Sequence, residues 1–284
     1  MTRFFLSFVV GVYAVGASAL FAQQNNYLYS YKIGNMEVIM LSDAQQSGKT
    51  SILIDATPQM LQQTAPNGTF PNGMNAFLVR ISGKNILVDA GLGTRLFENL
   101  QTIGIDPLAI DAVLITHLHG DHFGGLTKEG VAAFSNATLY MAQLEYDYGG
   151  NNHAVQKAIT AYRIELFTPN KIGTAGTELF AGVAAFAAYG HTPGHTVYLF
   201  TSEGESILIW GDLTHAMAVQ MPYPQVAVTY DSHPQEAVAT RLEILKWGSA
   251  NRVLVAGMHF AYPAIGIVSA NAAGGYLFAP VEWE

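Results

Sequence analysis

The chain has 284 residues, of which 50% are hydrophobic and 12% charged, enough apolar material for one sizeable core. Its formal charge is −8 and no basic cluster is present, so nucleic acid and anionic membrane surfaces are poor partners. It has no cysteine, which excludes disulfides, thiolate metal ligands and lipoprotein attachment.

The N-terminal stretch MTRFFLSFVVGVYAVGASALFAQQNN combines an early arginine, an apolar run from Phe4 and small residues ahead of a polar segment. The pattern predicts a signal peptide over residues 1–22, cut after Ala22 or after Ala19, and a periplasmic or secreted mature protein free of the membrane. Losing Arg3 leaves 12 basic against 21 acidic residues, a charge of −9. An uncleaved anchor is the alternative, because the run from Phe4 to Ala22 nearly reaches across a bilayer. No later linker, repeat or transmembrane pattern stands out, so residues 23–284 read as a single domain.

In chain order, MEVIMLSD (36–43) reads as a strand. The long turn-rich stretch 56–74 reads as a rim or lid over a site, or as surface packing. NAFLVRI (75–81), the turn 82–85 and ILVDAG (86–91) read as a hairpin, and TRLFENLQTIG (94–104) as a helix stopped by glycine. DAVLI (111–115) and ATLYMAQ (137–143) are strands, and the polar stretch 151–167 reads as helix. GVAAFAAYG (182–190), HTVYLFTS (195–202) and SILIWGD (206–212) form a run of strands. HPQEAVATRLEILKWG (233–248) is the clearest helix, opened by His233-Pro234 and closed by Gly248, and RVLVAGMH (252–259) is a strand ending in histidine. This mixed order predicts an α/β (α+β) fold with two mostly β layers and helices outside.

The stretch ITHLHGDHFGG (115–125) places His117, His119, Asp121 and His122 just beyond a strand. In extended geometry His117 and His119 project to one side, and Gly120 lets the chain turn into Asp121 and His122. Four ligand-type side chains in one turn point to a metal site rather than to incidental histidines. Three more candidates sit at strand ends: His195 in YGHTPGHTVYLF, Asp212 in SILIWGD and His259 in RVLVAGMH. Together these imidazoles and carboxylates suffice for two divalent ions with positions open to water and substrate. Zinc suits them, and manganese, cobalt and iron are compatible.

The pattern HxHxDH followed by His195, Asp212 and His259 resembles the metallo-β-lactamase-fold superfamily, from about residue 36 to the end. The resemblance implies a four-layer αβ/βα sandwich of two mixed sheets flanked by helices. It implies His117, His119 and His195 on a first metal, Asp121, His122 and His259 on a second, and Asp212 bridging them. Lack of cysteine excludes β-lactamases with a cysteine ligand, Asp212 disfavours the all-His/Asp subclass, and flavodiiron proteins have an acid where His119 stands. GDLTHAMAVQ (211–220) and AGMHFAYPAIGIV (256–268), with NAFLVRISGKNILVDAG (75–91), are most similar to the group containing methyl parathion hydrolase and related exported lactonases and aryl esterases.

That resemblance implies attack by a metal-bridging hydroxide on a largely apolar lactone, aryl ester or organophosphate triester. Either Asp121 or Asp212 would carry the proton to the leaving group. Homodimers are common in the group, and the 56–74 stretch is a candidate interface. Competing readings are a glyoxalase-like thioesterase, a β-lactamase, a mononuclear-iron oxygenase of the persulfide type, and a metal-binding protein without turnover. The first is disfavoured by the absence of lysine and arginine after Arg252.

Asp89 occupies the superfamily's usual aspartate position and reads equally well as a strand-ending turn residue. Thr116 and Thr196 flank ligands and are candidates to orient them. His191 and His215 read as support or surface groups, His153 as an ordinary helix residue and His233 as a helix start. An apolar pocket is expected, lined by Phe123, Phe260 and Tyr262 beside the ligands, and by Phe97 and Tyr148 through looser similarity to organophosphate hydrolases.

Overall fold

The strand-forming stretches build two mixed sheets in a computed structural model that describes residues 26–281. The segment read as a signal peptide lies outside the described residues. The first sheet holds, side by side, β1 (Leu28–Ile33), β2 (Met36–Lys49), β3 (Thr69–Ile81), β4 (Lys84–Val88), β5 (Ala112–Leu114), β6 (Thr138–Ala142) and β7 (Arg163–Phe167). The second holds β8 (Asn170–Lys171), β9 (Thr177–Phe180), β10 (Val183–Ala187), β11 (Thr196–Ser202), β12 (Glu205–Ile209), β13 (Leu254–Ala256), β14 (Ile265–Ala270) and β15 (Tyr276–Pro280). There β9 pairs only with β10, and the rest run in chain order. The helices are α1 (Pro58–Thr64), α2 (Leu96–Thr102), α3 (Gly120–Phe123), α4 (Gln143–Gly149), α5 (His153–Ile159), α6 (Met217–Gln220) and α7 (Pro234–Asn251).

Period-two alternation divides the first sheet's side chains between two cores. Val38, Met40, Phe77, Val79, Ile86, Val88 and Leu114 join Phe200, Ile209 and Val255 in the main core with the second sheet. Ile39, Leu41, Leu78, Leu87, Val113 and Leu139 belong to a second core with Leu96 and Leu100 of α2 and Val155 and Ile159 of α5. On the second sheet, α7 contributes Ile244 and Leu245. The result is the expected mixed α/β fold, with two sheets and flanking helices. Among the described residues no helix is long and apolar enough to cross a membrane.

Three local expectations change. The stretch 151–167 is not one helix: α5 stops at Ile159, and Arg163–Phe167 is an edge strand parallel to β6. Pairing to an open sheet edge overrides the segment's polarity. β2 runs on past Asp43 to Lys49, paired along its length with β3, so the two strands form a long arm. The stretch 56–74 is neither a loop nor a free lid. It holds α1, whose first turn is capped by Thr57, and then the opening half of β3.

Register places the site. β4 and β5 run parallel with Val88 opposite Leu114, and β12 and β13 run parallel with Ile209 opposite Ala256. Asp89, Thr116, Asp212 and His259 therefore leave their strands at matched carboxyl ends, where open α/β sheets place their sites. Buried Arg241 of α7 fixes the chain beyond Asp212 by donating to the carbonyls of Leu213 (2.6 Å), Pro224 (2.9 Å) and Val226 (2.8 Å).

Candidate metal centre

Among the described residues three overlapping groups of ligand-type atoms converge at this edge, each within 4.8 Å, and two of them take in the residues of the HxHxDH turn. In the first, His119 Nδ1 is 3.0 Å from both His117 Nε2 and His191 Nε2, which are 3.2 Å apart. Asp212 Oδ2 stands 3.5 Å from His117 Nε2 and 3.2 Å from His191 Nε2. In the second, Asp121 Oδ2 is 3.7 Å from His122 Nε2 and 3.5 Å from His259 Nε2. Asp212 Oδ1 lies 3.1 Å from His122 Nε2 and 3.2 Å from His259 Nε2. Asp212 thus stands between the two groups, with His259 Nε2 at 3.2 Å from its Oδ2 as well as from its Oδ1.

His191, not His195, completes the first group. His195 Nδ1 donates to the Ala188 carbonyl (2.8 Å), which leaves Nε2 as an acceptor, and that atom takes the Asp212 backbone N–H (3.1 Å). Both ring nitrogens are spent holding the hairpin base and the Asp212 backbone. Gly211 is required beside it: its φ is +55°, and a Cβ there would lie 2.5 Å from His195 Nε2. In His122, His191 and His259 the partner on the outer side of the ring decides which nitrogen faces the centre. Carboxylates and carbonyls only accept, so Nδ1 must donate from His122 to Asp89 (2.7 Å), from His191 to Asp231 (2.9 Å) and from His259 to the Gly73 carbonyl (3.1 Å). Each Nε2 then turns a lone pair toward the centre, the arrangement that metal-binding histidines adopt.

Asp89 and Thr116 support the centre as read from the sequence. Asp89 is fully buried; its Oδ1 accepts the Thr116 N–H and its Oδ2 the Thr116 hydroxyl, both at 2.7 Å. Thr196 does not touch a ligand side chain: its hydroxyl donates to the Gly194 carbonyl (2.9 Å) and its N–H to the Thr116 carbonyl (3.0 Å). His215, read as a support or surface group, is buried with Nε2 2.9 Å from Asp212 Oδ2, and forms a ligand-type group with Asp212 and His259. Asp231 gave no sequence signal, since its role depends on where His191 lands. His153 and His233 stand at the starts of α5 and α7.

The electrostatics fit cations. Burial holds His117 well below its ordinary value and brings His119 and His215 to about 4, so these rings are neutral donors at neutral pH. Burial opposes charge on His191 too, but Asp212 and Asp231 push it up to about 9. Burial works against the Asp212 carboxylate, yet the surrounding histidines hold it well below the carboxylate range. Asp212 Oδ1, His122 Nε2 and His215 Nδ1 are buried without hydrogen-bond partners. Asp212 Oδ1 and His122 Nε2, orphaned 3.1 Å apart, are atoms that a divalent ion would satisfy.

A cavity of about 700 Å³ opens onto the centre. His119, Asp121, Asp212, His215 and His259 line its floor, and the β2–β3 arm supplies Gln46, Lys49, Phe70, Asn72 and Met74, with Tyr230 opposite. None of the five expected aromatics is among the lining residues. Phe260 is fully buried between Trp210 and Phe278, and Tyr262 packs edge-on against Tyr29. Phe97 stacks on Phe134, Phe123 packs against the second core, and Tyr148 is exposed with its hydroxyl on Ser232. Adjacency to a ligand in sequence does not set side-chain direction. The part of 56–74 that reaches the site is Phe70, Asn72 and Met74.

Comparison with known proteins agrees with this architecture. A crystal structure of the hydrolase AbOPH in the beta lactamase superfamily superposes with a TM-score of 0.80 at 28% identity, covering 92% of this chain and 100% of that one. AidC, a dizinc quorum-quenching lactonase in complex with the product N-hexanoyl-L-homoserine, gives 0.80 at 22% identity, covering 90% and 98%, a likeness of fold. Among curated relatives, a ribonuclease of Thermus thermophilus is 27% identical over 204 residues, 61% of this chain, and the match spans 45% of that protein's length. An N-acyl homoserine lactonase of Bacillus thuringiensis is 24% identical over 190 residues, 64% of this chain and 68% of the relative. A sequence model of the metallo-beta-lactamase superfamily matches residues 70–257, and the chain belongs to that superfamily.

Proposed function

We propose that the chain is a dinuclear-zinc hydrolase of small ester-type substrates, with lactones and aryl esters first and organophosphate triesters next. The observation that carries this reading is Asp212, whose buried carboxylate stands within 3.5 Å of imidazoles of both donor groups and lines the cavity they share. His117, His119 and His191 would hold one ion, Asp121, His122 and His259 the other, and Asp212 both. When bound, such a pair supplies Lewis acidity and lowers the pKa of water toward neutrality. The resemblance of its motifs to the methyl parathion hydrolase group and the likeness to the N-acyl homoserine lactonase of Bacillus thuringiensis support the substrate class, and the likeness to AbOPH supports a hydrolase. The N-terminal pattern supports export, with work done in the periplasm or outside the cell.

The chain's own residues divide the remaining tasks. Asp121 is better placed than Asp212 to move a proton: its side chain is 24% exposed and lines the cavity, whereas that of Asp212 is 3% exposed and shared among histidines. Despite burial, His122 and His259 hold Asp121 below its ordinary value, so it stands ionised and able to take up a proton and pass it to the leaving oxygen. The arm and Tyr230 give the substrate a wall that is part polar and part apolar. Lys49 is the one lysine or arginine on that wall, and with a net charge of −8 this favours small molecules over the nucleic acid of the ribonuclease relative.

The test is metal content and turnover on one sample of purified chain. The panel holds an acyl-homoserine lactone, dihydrocoumarin, p-nitrophenyl acetate, methyl parathion, nitrocefin and a labelled RNA oligonucleotide. Two zinc per chain with lactone or aryl-ester turnover, lost in Asp212→Ala, is expected. Turnover of RNA alone, one iron per chain, or two metals with no turnover would overturn the reading.

A further inference from the structure

We propose that Glu145 is a positioning residue that locks together the two loops bearing the first donor group, so that occupancy of the first metal depends on it and occupancy of the second does not. The inference rests on the dinuclear reading above. Glu145 lies in the first turn of α4 and is fully buried. Its Oε1 accepts the backbone N–H of Leu118 at 2.8 Å, the residue between His117 and His119. Its Oε2 accepts the Thr192 hydroxyl at 2.6 Å and the Gly194 N–H at 3.1 Å, both in the loop that carries His191. One carboxylate therefore spans the loops that supply all three imidazoles of the first group.

The choice of residue follows from this geometry. A buried carboxylate without a basic partner is costly, and no lysine or arginine pairs with Glu145 among the described residues. Only an acceptor-only group with two oxygens can meet donors on both loops at once; a glutamine amide offers one oxygen and turns its N–H toward a donor. The seat is also tight. A Cβ on Gly194 would lie 2.1 Å from the Glu145 backbone nitrogen, so the loop rests directly on the start of α4. The second group has supports that do not involve Glu145: the Gly73 carbonyl holds His259, and Asp89 holds His122 while also reaching His117 through the Thr116 hydroxyl.

The experiment loads the full chain with zinc and titrates it against a chelator. Wild type, Glu145→Gln and Asp89→Asn are compared, with cobalt absorption spectra of each and melting of the metal-free forms. In Glu145→Gln the first zinc should weaken by about 10–100-fold, the range for partners that orient metal ligands, while the second stays tight. The cobalt bands of one site should fade and those of the other remain, whereas Asp89→Asn, which bears on His122 directly and on His117 through Thr116, should weaken both. Gly194→Ala, which pushes the same loop off α4, should reproduce the Glu145→Gln pattern and serves if the glutamine variant fails to fold. In Glu145→Gln, two zinc ions held as tightly as in wild type, or a parallel loss of both, would overturn the clamp. Fewer than two zinc in wild type would overturn the dinuclear reading and the clamp with it.

Discussion

The two halves of the centre use the same donor chemistry but hang from different parts of the molecule. The second half takes Asp121 and His122 from one turn and His259 from the end of β13, and it is steadied by Asp89 at the end of β4 and by Gly73 in β3. Its supports are on the first sheet. The first half takes His117 and His119 from that sheet's edge but His191 from the loop between β10 and β11, held by Asp231 ahead of α7 and by Glu145 of α4. Its supports lie on loops and helices far apart in sequence. The difference teaches that strand-borne groups brace one half and loop and helix groups the other, so on the dinuclear reading the two ions should be separable by mutation.

The largest effect should come where the halves meet. Asp212→Ala removes a donor from both, and zinc content and turnover should fall beyond the about 100-fold that orienting partners reach, read by metal analysis and kcat/KM. The next contrast separates two histidines four residues apart. His191→Ala should drop one zinc per chain and most activity. His195→Ala should keep both metals and lose stability by about 1–3 kcal/mol, because the Asp212 N–H and Ala188 carbonyl lose their partner. Equal metal loss in both variants would break the distinction.

A pH series sharpens the first half. Burial disfavours protonated His191, but Asp212 and Asp231 raise it to about 9, and it must shed that proton to bind a metal. In the metal-free chain a raised value stabilises below the ordinary 6.5 and fades as pH rises through about 9. Metal binding runs the other way, so zinc affinity should rise between those limits by up to about tenfold per pH unit for this one proton, seen by competition titration. The smallest effect belongs to the cavity wall. Tyr230→Ala or Phe70→Leu should raise KM a few-fold with kcat held, the signature of uniform binding, while Phe97→Leu and Tyr148→Phe leave both constants unchanged.

Sequence reading reached what is local. His117, His119, Asp121 and His122 share one turn after an apolar strand, and Asp212 and His259 close strands that are plainly apolar, so their convergence followed from strand ends alone. The choice between His191 and His195 was not legible, because HTPGH presents two equivalent imidazoles. Only the hairpin pairing of Ala188 with His195 shows that the second ring is consumed at the base and the first is left to project. Glu145 and Asp231 carry no motif, since each acts through backbone groups that other segments deliver. The pocket was misread for a related reason: the wall comes from an arm whose outer half, Gln46 to Lys49, looks like a polar loop until it pairs with Thr69–Asn72. Likewise Arg163–Phe167 becomes a strand only because β6 offers an edge.

Anomalous diffraction at the zinc edge from crystals of the zinc-loaded chain tests the central claim most directly. Two peaks are expected about 3.5–4 Å apart, with Asp212 between them, His191 on the first and His195 on neither. A single peak, or a first peak bound by His195 in place of His191, would contradict the account.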